Sequence, residues 1–353
     1  MRALEGCRKA VYGILFVLLI PMSAYIFYGA VDTLDGAQAL QKVLGGKMTA
    51  LFLFGTAALL CVFLAWAFRR LVPCLERKKW AVPVLFGVLI LLQAAMVLTV
   101  RTSLRHDHLK IFDTAAALLE KDTIADTHFR HYFMKYPNNI PVCLFTHLWL
   151  RGMSVLGIPR EFWMESVKLL NLAFMNVGMF CTFRLVCRYR SRRTGLFFLL
   201  LLLVNPLWYV LGQMYYTSTL SLACSMGAVW LWDQAGGQQA PWKRYVLYAA
   251  TGMVLAFGYR IRATVVITMA ALLIYGVTEL RQRPGRKEIA GVLAVLAGLF
   301  LAFSVCGQAE RRYAGFDPSE TGYPAVHWVM MSAQGEGQYN SADDAYTGSF
   351  STR

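Results

Sequence analysis

Apolar residues in this chain come in long blocks, not at the two-residue or seven-residue spacings of half-buried strands and helices. Nine blocks stand out, at 11–30, 50–67, 81–100, 169–187, 195–213, 215–233, 244–259, 263–279 and 289–307. A helix needs about 17–25 consecutive apolar residues to cross a bilayer. The pattern predicts an all-α polytopic membrane protein with about nine transmembrane helices. The first block resembles a secretory signal in position. It is long, however, and no small-x-small cleavage site follows it, so it reads as a retained span.

The polar positions between blocks set the expected topology. "RRLVPCLERKKW" closes the 68–80 segment, "RYRSRR" occupies 188–193, and "RQRPGRK" occupies 281–287. Lys and Arg collect on the cytoplasmic side of membrane proteins, which places these three segments and the N-terminus in the cytoplasm. One block breaks the alternation. If "IPVCLFTHLWLRGMSVLGIP" (140–159) crossed, "RYRSRR" would fall outside. His147, Arg151 and Ser154 share one helical face of that block, which suits a helix lying in the interface. Residues 101–168 then form one long external loop, and residues from about 308 onward are external as well. All six histidines (106, 108, 128, 131, 147 and 327) fall in these external segments. The polar chemistry is therefore expected on the extracytoplasmic face of a cell membrane.

Composition agrees. The chain is 57% hydrophobic and 16% charged, against about a quarter charged in soluble proteins. A net charge of +15 would suggest nucleic acid in a soluble chain. Here the cations sit between spans, so membrane lipids are the expected partners and nucleic acid is not. The eight cysteines show no metal-type spacing and read as small apolar core residues.

The external loop carries the candidate chemistry. A helix is expected over 108–121, with Leu109, Phe112, Ala116 and Leu119 on its apolar face. Asp107 opens it, either as a plain N-cap or as an ionised base with Lys110 one turn away. "HYFMKYPNNIP" follows, in which Pro137 and Pro141 make a rigid corner just after Lys135. Such a lysine suits a lipid phosphate, or simple snorkelling at the interface. In "GYRIRATVV", Arg260 and Arg262 occupy a short external turn, where they either hold phosphate oxygens or anchor the interface.

The order of these parts resembles the GT-C superfamily of polyprenyl-phosphate-sugar glycosyltransferases, in its protein-mannosyltransferase and aminoarabinose-transferase-like branch. The shared order is a span, an acid at the lip, a short helix with a basic residue, an aromatic-Lys-Pro corner and an amphipathic helix. Asp107 matches that family's first acid, Lys110 its basic position and Lys135 its corner lysine. His108 stands where a second acid is usual, and "KYPNN" replaces Lys-Pro-Pro. The likeness covers roughly 81–307. Residues 1–80 then form a two-span addition, and 308–353 an external C-terminal region that stops without a closing span, as an incomplete chain would.

The resemblance implies an inverting transfer of a hexose or pentose from a polyprenyl-phosphate donor to a lipid, glycan or protein acceptor in the bacterial cell envelope. Asp107 would be the catalytic base. Lys110, Lys135, Arg260, Arg262 and His108 would bind substrate. No cofactor is required by this reading. The HxH and HxxH spacings of "RHDH" and "HFRH" admit a divalent metal without defining a ligand set. Near the C-terminus, "MMSAQ...GQYN..DD" resembles a segment of polytopic membrane proteins of Gram-positive bacteria, and Asp343 and Asp344 are expected to be solvated. Two other functions fit the same chain: a transporter or lipid flippase, and a non-catalytic envelope-assembly protein. The first would require ionisable groups or broken helices within spans, whereas the polar residues here gather at the lip.

Overall fold

The computed structural model describes residues 62–100, 106–282, 285–333 and 340–349, with isolated positions at 55, 59, 60, 102 and 104. The expected span at 11–30 lies outside the described residues, and so does half of 50–67. The chain divides into two compact units, Met1–Cys74 and Leu75–Arg353. In the first unit the described residues are helical and run into a π-helical turn, Ala67–Leu71.

The second unit is all-helical among its described residues. Its long helices are α1 (Ala81–Thr99), α5 (Trp163–Tyr189), α8 (Thr217–Gly236), α9 (Pro241–Ile261), α10 (Val266–Gln282) and α11 (Arg286–Ala314). Between α1 and α5 come α2 (His106–Ala117), α3 (Arg130–Lys135) and α4 (Ile140–Val155). A pair of shorter helices, α6 (Arg192–Val204) and α7 (Pro206–Gly212), links α5 to α8, and α12 (Ala325–Ala333) and α13 (Ser341–Gly348) follow α11.

Four of these helices, with their 3-10 lead-ins, are long and apolar enough to cross a membrane: α1, α5, α10 and α11. The bent pair α6–α7 is a fifth if taken as one span. Among the described residues this is fewer than the seven blocks from 81 onward suggest. Helices α8 and α9 do form, with 20 and 21 residues. Asp233 and Gln234 in α8, and Lys243, Arg244 and Arg260 in α9, dilute their apolar content. The block at 195–213 is not one straight helix either, because it bends by 65°. Pro206 lacks an N–H and clashes with the preceding turn. Asn205 is extended, and its Oδ1 accepts from Leu207 N at 3.0 Å, starting a new helix.

Helix α1 is apolar all round, so periodicity could not show which side is buried. Ala81, Leu89, Gln93 and Val97 are its buried residues, one stripe at i+4 multiples. Val84, Val88, Leu91 and Leu98 point outward, as lipid-facing residues should. A polar seam runs inside. Asn176 Nδ2 donates to Gln93 Oε1 at 2.7 Å, and Gln213 Nε2 donates to Met96 O at 2.9 Å. Asn171 Nδ2 donates to the Leu211 and Gly212 carbonyls at the end of α7, at 3.0 and 3.2 Å. Lys168 is fully buried and donates to Thr102 O. Because α5 begins at Trp163, Lys168 belongs to its second turn and not to the end of a loop.

Helices α9 and α11 pack closest. A Cβ on Gly298 would lie 2.0 Å from Ala249 O, and one on Gly252 would lie 2.0 Å from Val295 O. Small residues let two helix backbones approach this closely where lipid supplies no hydrophobic drive.

Helix α2 is displaced from expectation by one register. Its buried face is Ile111, Thr114 and Ala115, continued by Leu118 in the turn that follows, while Phe112, Ala116 and the turn residue Leu119 are half-buried at the flank. It packs on α4, whose polar stripe is also split. Arg151 and Ser154 are exposed. His147 is buried instead, with Nδ1 3.2 Å from Ala115 O. The α2–α4 contact therefore uses the face that was expected to meet water.

Candidate functional site

The start of α2 sets the site. His106 has φ of 51°, a left-handed conformation that costs a non-glycine residue about 1 kcal/mol. The chain turns there and leaves Asp107 in the first helical turn. Two tyrosines from other elements meet this carboxylate. Tyr216, just before α8, donates its hydroxyl to Asp107 Oδ2 at 3.2 Å. Tyr132 of α3 lies near enough to feel the Asp107 charge and accepts from Asn139 Nδ2 at 2.6 Å. Burial, then the Asp107 charge, pushes the Tyr216 phenol up to about 12. The same two causes raise Tyr132 further. Both phenols therefore remain protonated donors at neutral pH.

The cations surround this core. Lys110 Nζ lies 4.5 Å from the centre of the Tyr132 ring, a cation–π distance. The His108 ring stacks on Tyr216, at 4.7 Å and 11°. Desolvation lowers the His108 pKa, partly opposed by Asp107, so its neutral form is favoured. Arg262 Nη1 donates to Ser218 Oγ at 2.8 Å and Thr217 Oγ1 at 3.1 Å. Its charge is felt at Tyr216. Asp107, His108, Lys110 and Arg262 thus belong to one constellation, joined through Tyr132 and Tyr216.

Two expected phosphate ligands are placed differently. Arg260 forks onto Glu310, with Nε 2.8 Å from Oε1 and a second bond to Oε2. Lys135 pairs with Asp344 and lies 5.0 Å from the Tyr323 ring centre. Burial opposes the Lys135 charge, but the bonds from Asp344 and Tyr323 outweigh it and raise the pKa. Tyr323 OH also donates to Asp344 Oδ1 at 3.0 Å. The expectation of two solvated aspartates is therefore wrong. Asp343 is buried, and the Asp344 side chain is only 16% exposed. Tyr132 and Tyr136, 5.2 Å apart, connect the Lys135 cluster to the Asp107 core.

Among the described residues, no group of three or more His, Cys, Asp or Glu could hold a metal ion.

A family model described as "Conserved hypothetical integral membrane protein" matches residues 5–353. The chain belongs to that family. It is accordingly an integral, multi-pass membrane protein, and the family description carries no glycosyltransferase assignment. No curated protein and no solved structure matches the chain.

Proposed function

We propose that this family member is a membrane glycosyltransferase that acts at the extracytoplasmic face, moving a sugar from a polyprenyl-phosphate donor to a hydroxyl acceptor. The observation that carries this reading is the Asp107 carboxylate, oriented by the Tyr216 hydroxyl, with Lys110 and Arg262 close by. The acceptor hydroxyl gives its proton to Asp107 as its oxygen attacks the anomeric carbon. The bond to the phosphate oxygen breaks, and its electron pair leaves on the phosphate. Lys110 and Arg262 stabilise that charge. A single displacement inverts the anomeric centre. Arg260 and Lys135, already paired with Glu310 and Asp344, shape the site instead of supplying free charge.

The test uses the full chain in vesicles with a radiolabelled polyprenyl-phosphate hexose. Asp107→Asn should cut transfer by about 10²–10⁴-fold, the range for losing a general base. Full transfer by the variant removes Asp107 from this role. A cysteine at position 130 must also be labelled from the extracytoplasmic side.

A transporter reading gains one specific support. The bent α6–α7 pair and the buried Lys168–Thr102–Gln213 seam resemble the broken helices that line transport sites. Substrate uptake into sealed vesicles, independent of any sugar donor and abolished by Lys168→Met but not by Asp107→Asn, would favour it.

A further inference from the structure

Helix α8, whose start carries Tyr216 beside Asp107, reaches a different site at its other end. A cavity of about 510 Å³ opens between the start of α1, the end of α5, the start of α6 and the end of α8. Its cations are Lys79, Arg184, Arg188 and Arg192, and its apolar lining includes Val82 and Phe183. From Tyr216 to Gln234 along α8 is about 27 Å at 1.5 Å per residue, close to the thickness of a bilayer's hydrocarbon core.

We propose that this cavity binds a phosphate-bearing ligand. Arg184 and Arg188 sit four residues apart on one face of α5, so they point the same way. Of the four cavity cations, only Arg188 pairs with an acid among the described residues, with Asp233 at 2.8 Å. Tyr189 OH adds a bond to Asp233 at 2.6 Å, which holds that acid in place. Arg192 is anchored by donating to Lys78 O at 3.0 Å. Three cations therefore remain uncompensated by acids around one concave space. All four cations are solvent-exposed, but they are not scattered over the surface. Here they converge on a volume within the roughly 300–1,000 Å³ range of ligand pockets.

Tight helix packing borders the space. At Gly195, a Cβ would sit 2.4 Å from Cys187 Sγ and 2.9 Å from the Phe183 ring. Helix α6 thus meets α5 closely beside the cavity, and Phe183 is fixed as its wall. Arg forks match phosphate oxygens two at a time. The apolar wall suits the acyl portion of a phospholipid, and the cations suit a soluble phosphate ester equally. The shared chemistry is the phosphate, and the site stands independently of the reaction at Asp107.

The experiment measures retention of phosphatidylglycerol against phosphatidylcholine by the purified full chain, using native mass spectrometry. The variant is Lys79→Gln with Arg184→Gln, which spares the Arg188–Asp233 pair. The charge-matched control is Arg286→Gln with Lys287→Gln, two exposed cations outside the cavity. The cavity variant should weaken phosphatidylglycerol retention about tenfold or more, as expected when charge-assisted hydrogen bonds are lost. The control should change it by no more than about twofold. Displacement of the bound lipid by glycerol 3-phosphate supports a soluble ester as ligand, and no displacement supports the lipid. Equal loss in both doubles, or no loss in either, overturns the site. If the double variant melts early, Arg184→Lys serves instead. It keeps the charge but loses the fork, and retention unchanged from the native chain then overturns the bidentate contact.

Discussion

The two ends of the helical unit handle charge in opposite ways. At the Asp107 end, each ionic side chain leans on a neighbour. Asp107 takes the Tyr216 hydroxyl, Arg260 forks onto Glu310, and Lys135 meets Asp344. At the cavity end, four cations face one acid. The first arrangement fixes geometry and spends little charge on a ligand. The second leaves charge unspent around an open volume. A carboxylate held by a phenol suits proton transfer, where position matters most, and uncompensated guanidinium groups suit anion capture. The same α8 reaches both ends, so the contrast arises from side chains and not from separate domains.

The largest expected effect breaks the α9–α11 contact, which supports the bundle as a whole. Gly298→Val would drive a side chain into Ala249 O, where even a Cβ has only 2.0 Å. The expected outcome is loss of most folded, monodisperse protein on size-exclusion chromatography in detergent, with transfer and lipid retention lost together. Loss of only one of them would mean that the ends are not coupled through α9 and α11.

A smaller change makes the matched end resemble the unmatched one. Glu310→Gln strands the Arg260 charge. Removing one partner of a fully buried pair costs about 3–5 kcal/mol. The Arg260 side chain is 31% exposed, so a lower figure of about 2 kcal/mol is expected, read as a fall in thermal midpoint. Arg260→Leu combined with Glu310→Leu should recover part of that loss. If the single variant melts like the native chain, the pair is not a structural element.

The smallest effect is a pH dependence confined to one end. Burial lowers the pKa of His108 and of His147 below their ordinary value of 6.5. The folded state then binds fewer protons than the unfolded one. This contribution to stability is present above about pH 6.5 and is lost as pH falls through the folded values. The thermal midpoint should decline on acidification below pH 6.5, and His108→Gln should flatten the slope. No histidine lines the basic cavity, so phosphatidylglycerol retention should stay level over the same range. A parallel pH dependence of the two readings would break the contrast.

Sequence reasoning reached the parts of this picture that depend on neighbours along the chain. The charged run after the third apolar block located Asp107, His108 and Lys110 on one helix start. The two prolines located the corner at Lys135. The bundle was legible as blocks, because a helix in lipid must be apolar along its whole length. What was not legible depends on pairs far apart. Tyr216 is 109 residues from Asp107, and Glu310 is 50 residues from Arg260. No local spacing links them. The adjacent tyrosines at 215 and 216, opening an apolar block, were the available signal, since a buried phenol needs a partner. Both found one: Tyr215 meets Thr146 at 2.9 Å, and Tyr216 meets Asp107. The burial of His147 was misjudged for a related reason. A polar stripe on a helix faces water only if no second helix offers it a carbonyl, and Ala115 does.

The bend at Asn205 also bears on the order in which the chain is assembled. To insertion machinery that reads hydropathy, 195–213 is one continuous greasy segment. Its second half, α7, ends in carbonyls that are satisfied by Asn171, a side chain of α5. Helix α5 is synthesised first, so its amide is already waiting when α7 emerges. Direction at this point in the chain is taught by an earlier helix, and a segment transplanted without that helix would lose the instruction along with the bond.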